Sequence, residues 1–263
     1  MIPAAFITHW RSKAPWFREA QIEQDLVLSR ALVEIFNSET GSKLALRGGT
    51  ALYKLFVSEP VRYSEDIDLV QISPEPIGSI FDGIKEKLNP ILGSPVRTIG
   101  RSTATLKYRF VSEIEPVEPL RLKIEINTRE HHAFDCIRPV EYAVNSPWFA
   151  EECTVKTFSI EELTATKIRA LYQRRKGRDL FDLWYVFSNL SIDIHRTVSL
   201  FKSYMESENS PPSFAKFKEN LDLKMEDRGF LMDTGPIVRR EISFEPLEAR
   251  DFVLNALQGA GYA

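Results

Sequence analysis

RYSEDIDLV, residues 62–70, carries two aspartates, Asp66 and Asp68, within a run whose Ile67, Leu69 and Val70 read as a β-strand. Aspartate is among the poorest strand formers, so its appearance twice in one strand needs a reason. Side chains alternate along a strand, which puts Asp66 and Asp68 on one face and turns Ile67 and Leu69 the other way, into a core. Two carboxylates one pleat apart repel each other. A divalent cation between them would relieve that repulsion, and hard oxygen ligands with few other protein donors suit Mg²⁺ bound together with substrate phosphates. A charged edge strand that deters aggregation explains the same residues, and the pair alone does not choose between the two.

The segments around this strand add to it. KLALR, residues 43–47, reads as a strand, and GGT, residues 48–50, joins it to a short helix, ALYKLF, residues 51–56. A glycine pair between a strand and a helix lets the backbone approach a ligand and aims helix N-terminal amides at an anion. Gly48 and Gly49 would serve equally as a tight turn. Thr50 adds a hydroxyl. Neither a GxxxxGK[ST] loop nor a GxGxxG fingerprint occurs, which excludes the commonest nucleotide motifs. In PLRLKIEINTRE, residues 119–130, Leu122, Ile124 and Ile126 share one strand face and Lys123, Glu125 and Asn127 the other. Glu125 is either a third metal-ligating acid or a solvated strand residue.

Farther out, Ile22, Leu26, Ser29, Val33 and Phe36 recur at helical spacing within residues 17–37, residues 76–90 read as helix, and residues 97–111 as strand. From Ser159 onward the pattern is helical. The expected fold class is therefore α+β, a mixed α/β arrangement: a core with a central mixed sheet over residues 1–145, then a mainly helical domain over 146–263. In residues 160–174, Ile160, Leu163, Ile168 and Leu171 define an apolar sector, with Lys167 near its middle and Arg174 close by. Lys167 either snorkels to solvent or joins Arg174 in neutralising phosphate. In the next helix Asp179 lies at the edge of the apolar stripe and Asp182 farther round on the polar side. Asp179 is the chosen functional acid, with helix-dipole stabilisation as its competing explanation. Arg174, Arg175, Lys176 and Arg178 form the densest basic cluster, either a solvated turn or a contact for an RNA backbone.

The chain has 263 residues and a formal net charge of −3, so no basic coat marks it as a nucleic-acid binder, although a local patch could act as one. No apolar run is long enough to span a membrane, and the start lacks a signal-peptide pattern, so a cytoplasmic location is expected. Cys136 and Cys153 lack metal-knuckle spacing and read as buried small hydrophobes. His131 and His132 have no third ligand nearby and read as surface or loop residues.

A strand, a GGT turn, a helix, an hDhD strand and a later hEh strand together resemble the nucleotidyltransferase superfamily related to DNA polymerase β. LRGGTALYKLF, RYSEDIDLV, KIEIN and LTATKIRALYQRRKGRDLFDLWYV resemble more narrowly the AbiEii/AbiGii family of nucleotidyltransferase-like toxins. These segments lie within residues 46–187. The resemblance implies a polymerase β-type domain in which Gly48, Gly49 and Ser64 bind triphosphate and Asp66 and Asp68 bind metal. By the same resemblance Lys167 and Asp179 match a lysine and an aspartate required for toxicity, with Asp182 one helical turn away as the alternative. The third metal position holds Glu125, where the superfamily pattern has aspartate.

These readings predict a Mg²⁺-dependent nucleotidyltransferase, the toxin of an AbiE-like type IV toxin–antitoxin pair linked to phage abortive infection. Its nucleoside triphosphate would lie on Gly48, Gly49, Thr50, Ser64, Lys167 and Arg174, with metal on Asp66, Asp68 and Glu125. The resemblance implies the 3′ end of tRNA as acceptor and an AbiEi-like antitoxin as partner. The alternatives are nucleotidylation of a protein hydroxyl and a nucleotide-binding module without transferase activity.

Overall fold

The computed structural model describes residues 2–262. A seven-stranded mixed sheet with flanking helices carries the first part of the chain, in the strand order β3-β4-β5-β2-β1-β7-β6. Helices α1 (Ala4–Trp10) and α2 (Glu19–Phe36) precede β1 (Leu44–Arg47), α3 (Gly48–Ala51) and a π-type helical turn over Leu52–Phe56. Then come β2 (Asp66–Gln71), α4 (Ile77–Leu92), β3 (Val96–Ile99), β4 (Thr103–Val111), β5 (Pro119–Asn127), β6 (Ile137–Ser146) and β7 (Phe149–Phe158). The remainder is helical: α5 (Ile160–Gln173), α6 (Gly177–Asn189), α7 (Ile194–Ser207), α8 (Phe214–Met225), α9 (Arg228–Met232) and α10 (Pro246–Gly259). No described helix is long and apolar enough to cross a membrane.

The alternation expected for RYSEDIDLV is present. Ile67 and Leu69 are buried, whereas Asp66 and Asp68 are partly exposed. β2 is an interior strand, antiparallel to β1 and parallel to β5, so protection of a sheet edge does not explain its acids. All five residues that define the stripe of α2 are buried. Within that helix the buried Asp25 carboxylate accepts from Trp10 Nε1 (2.9 Å), Trp16 Nε1 (3.2 Å) and Lys54 Nζ (2.7 Å), which ties the helical turn after GGT to α1 and α2. Burial pulls the Lys54 ammonium down, but the Asp25 charge and hydrogen bond more than offset this and raise it above the usual lysine value.

The chain divides into two compact units, and the division differs from the boundary expected near residue 145. One unit runs to His132 and includes Ile137–Phe158; the other comprises Ala133–Cys136 and the chain from Ser159 on. The β6–β7 hairpin stays with the sheet because β7 runs parallel to β1 in the register Leu46↔Thr157, where Thr157 Oγ1 also donates to Leu46 O at 2.8 Å. The edge strand β6 is mostly solvated, and β7 buries residues only from Cys153 onward, so the first part of residues 137–158 carries little apolar alternation and gives a weak strand signal. The helical unit has its own core, in which Ile168, Leu171, Leu180, Leu183, Phe201 and Val253 are fully or almost fully buried. Cys153 is buried as expected, but Cys136 is exposed. His131 Nδ1 lies 2.8 Å from Gln71 O, a tether between the segment after β5 and the end of β2.

Candidate nucleotide and metal site

Gly48 opens α3 with φ +77°, a backbone that non-glycine residues rarely adopt. A Cβ there would also run into the Asp68 carboxylate, so glycine is required by both backbone and neighbour. At Gly49 a Cβ would lie 2.5 Å from Arg62 Nη2 and 3.2 Å from Ser64 Oγ, so a side chain there would displace the Arg62 guanidinium. Thr50, expected among the nucleotide contacts, is fully buried beneath the turn. Its Oγ1 lies 2.9 Å from Ser64 Oγ and donates to Asp66 O at 2.5 Å, so it fastens the turn to the start of β2. Ser64 remains partly exposed beside Gly49.

Asp66 and Asp68 lie on one face, as the alternation requires. Asp66 Oδ1 is buried and has no hydrogen-bond partner, a costly condition for a carboxylate oxygen. Burial pushes the Asp66 carboxyl up to about 6, Lys123 opposes the rise, and the Asp68 and Glu65 charges add to it. The β2–β5 register sets Asp66 against Lys123 and Asp68 against Glu125. Lys123 Nζ lies 2.7 Å from Glu125 Oε2 and 3.9 Å from Asp66 Oδ2. Burial lowers the Lys123 ammonium, but the hydrogen bond to Glu125 and the Asp66 charge raise it overall.

These groups fit a divalent cation held by two carboxylates and completed by phosphate oxygens and water, a common arrangement for Mg²⁺. They do not preassemble the expected trio. Glu125 is held by Lys123, and no cluster of three acidic, histidine or cysteine side chains suited to one metal ion occurs among the described residues.

Two contributors to this face have no assigned role in the sequence reading. Lys123 shares a strand face with Glu125, but its reach to Asp66 depends on the β2–β5 register. Arg62 is 3 % exposed, lies against Gly49, stacks over Tyr53 with its guanidinium carbon 4.8 Å from the ring centroid and donates Nη1 to Tyr63 O at 2.9 Å. An arginine in RYSED carries no pattern that announces burial.

In the helical unit, Lys167, Arg174, Asp179 and Asp182 come together. Lys167 Nζ lies 2.7 Å from Asp182 Oδ2 and 3.5 Å from Asp179 Oδ1. Arg174 grips Asp179 in bidentate fashion, Nε to Oδ2 at 2.7 Å and Nη2 to Oδ1 at 2.8 Å. Both aspartates are fully buried, whereas the Arg174 side chain is 52 % exposed. Asp182 is therefore not on a solvated face as the helical wheel places it, because it faces Lys167 of α5. Lys167 bridges both aspartates. Gly177 starts α6 where a Cβ would collide with the Phe230 carbonyl, so it permits close packing, while the preceding helix has already ended at Gln173.

The family model described as nucleotidyl transferase AbiEii toxin, type IV TA system, matches residues 30–255. No curated protein matches the chain. Among solved structures, MenT4, a nucleotidyltransferase toxin from Mycobacterium tuberculosis H37Rv, is similar with a TM-score of 0.69 at 15 % identity, over 99 % of this chain and 90 % of that one. JHP933 from Helicobacter pylori is similar with a TM-score of 0.57 at 18 % identity, covering 92 % of each chain. At such identities the two structures establish likeness of fold.

Proposed function

Because the chain belongs to the AbiEii family of type IV toxin–antitoxin systems, it is a nucleotidyltransferase toxin whose family implies an antitoxin partner, and we propose that it transfers a nucleoside monophosphate from a nucleoside triphosphate to the 3′ end of tRNA. One observation carries the reading: Asp66 holds a buried carboxylate oxygen without a partner, beside Asp68 and under a glycine turn that only glycine can make. A raised carboxylate and an orphaned oxygen side by side call for a cation.

In this reading Asp66 and Asp68 hold Mg²⁺, which when bound offsets phosphate charge and acidifies an attacking hydroxyl. The amides of the Gly48–Gly49 turn and the Ser64 hydroxyl hold the triphosphate, while Arg62 and Thr50 keep the turn in place. The acceptor oxygen forms a bond to the α-phosphorus as the bond from that phosphorus to the bridging oxygen breaks. The acceptor proton leaves to solvent, and pyrophosphate departs with the electron pair. Glu125 holds Lys123 beside Asp66, where the ammonium offsets carboxylate repulsion before substrate arrives. Lys167, Asp179 and Asp182 fix the α5–α6 corner, where Arg174 grips Asp179.

The test is incubation of the chain with Mg²⁺, total bacterial tRNA and each labelled nucleoside triphosphate in turn, with Asp66→Ala as control. Label in RNA that vanishes in the variant supports the proposal and identifies the nucleotide. Label in protein would instead assign the acceptor to a protein hydroxyl. Nucleotide binding without any label would leave a binding module.

A further inference from the structure

The sheet face that carries Asp66 and Asp68 continues across two neighbouring strands with the opposite charge. On β5 the same face presents Lys123 and Arg121, and on β4 it presents Lys107 and Arg109. The antiparallel β4–β5 register sets these cations directly opposite one another, as Lys107↔Lys123 and Arg109↔Arg121. Like charges directly opposite across an antiparallel pair destabilise a sheet, and here two such pairs are consecutive on one face.

Edge protection does not account for the row as a whole: β5 is interior and β3 covers β4 as far as Lys107, which leaves only Arg109 beyond the end of the β3 pairing. Local anions account for only part of the charge. Lys123 is held by Glu125 and Asp66, and Arg121 has Glu65 at 3.7 Å with both side chains largely in water. Lys107 and Arg109 form no ion pair among the described residues. Lys107, Arg109 and Arg121 line one open groove together with Phe110, Val111, Pro119 and Leu120. Behind them Leu106, Tyr108, Leu120 and Leu122 are buried, which fixes which way the cations point.

We propose that this row, Lys107, Arg109, Arg121 and Lys123, is the track along which the phosphate backbone of the acceptor RNA lies as its 3′ end reaches the Asp66–Asp68 site. The inference rests on the transferase reading above and deepens it by assigning the acceptor's binding surface. A polyanion relieves both like-charge pairs at once, and a row two strands wide that starts beside the acids suits a chain better than a single phosphate.

Lys107→Gln/Arg109→Gln changes only residues outside the nucleotide and metal contacts. Binding of labelled total bacterial tRNA to the full chain is measured across a range of NaCl concentrations. The double variant should bind on the order of tenfold more weakly, with a slope of log K against log salt shallower by about 1.4, at roughly 0.7 per lost single-strand phosphate contact. Its binding of labelled nucleoside triphosphate should be unchanged, and its urea midpoint equal or higher, since repulsion has been removed. Unchanged tRNA affinity and slope would overturn the proposal, as would a lower midpoint, which contradicts the premise that the paired cations strain the sheet. Polyglutamate competing as well as tRNA would assign the row to an acidic protein instead. Asp66→Ala, expected to bind tRNA normally while transferring nothing, separates the two readings. Labelled tRNA with an indifferent double variant sinks only the track, whereas label in protein sinks the RNA acceptor itself.

Discussion

Replacing Asp66 with Asn should stabilise the metal-free protein, and by an amount that depends on pH. Burial lifts the Asp66 carboxyl from 3.8 to about 6, so in the folded state its ionisation is disfavoured. At 1.36 kcal/mol per pH unit the full shift corresponds to roughly 3 kcal/mol. The side chain keeps 30 % of its exposure, so solvent screening reduces the expected effect to about 1–2 kcal/mol. Between pH 3.8 and about 6 the unfolded chain has released this proton while the folded chain retains it. Stability therefore falls as pH rises through that window, and the full cost is present above it. The neutral amide of the Asp66→Asn variant carries no such cost. Urea unfolding in EDTA, followed by tryptophan fluorescence, should show the gain of Asp66→Asn at pH 8 shrinking to about half at pH 5. Trp10, Trp16 and Trp148 report on the sheet-bearing unit that holds residue 66. Saturating Mg²⁺ with nucleoside triphosphate should reverse the order, because bound ligand at 100 times its Kd stabilises the parent by about 2.7 kcal/mol and the variant by far less. A gain independent of pH, or a variant less stable than the parent at pH 8 without metal, would refute the assignment of a strained carboxylate.

Gly48→Ala combines a left-handed backbone, worth roughly 1–2 kcal/mol, with displacement of the Asp68 carboxylate. It should lower both the urea midpoint and the affinity for Mn²⁺ measured by paramagnetic resonance, and unchanged Mn²⁺ binding would count against Asp68 as a ligand. Lys167→Met removes the cation that neutralises Asp182 and half of the environment of Asp179, so it should cost about 3–5 kcal/mol of unfolding free energy. Adding Asp182→Leu should restore much of that loss, and a single variant as stable as the parent would show that the ion pair is dispensable.

What the sequence discloses here depends on how local the determining physics is. Asp66 and Asp68 are legible because strand alternation is a property of adjacent residues, and Ile67 and Leu69 supply the buried phase. The glycine pair is legible as a turn. That the Asp68 carboxylate is what crowds Gly48 depends on the β1–β2 register, with Arg47 opposite Asp68. Glu125 reads as a candidate third ligand because spacing shows which side chains share a face, not which of them meet. Its neighbour Lys123 reaches both Glu125 and Asp66 only in the register β5 takes against β2. The wheel misplaces Asp182 for a related reason: it ranks faces by hydropathy, and a face buried against a lysine looks polar.

The two charge imbalances on this sheet face are of opposite sign. Burial and the neighbouring Asp68 and Glu65 charges disfavour ionisation of Asp66, whereas farther along Lys107 stands directly opposite Lys123 and Arg109 opposite Arg121. A fold selected only for stability would have interleaved these residues, since exchanging one member of each group would remove both repulsions. Lys123 alone sits at the border and reaches the acids. Segregated charge of this kind costs stability until each half meets its own counterpart, which in the proposed reading would be a divalent cation for the acids and phosphates for the cations. A metal-bound nucleotide presented to an RNA end supplies both in adjacent positions, and a small anion or a lone metal ion supplies only one.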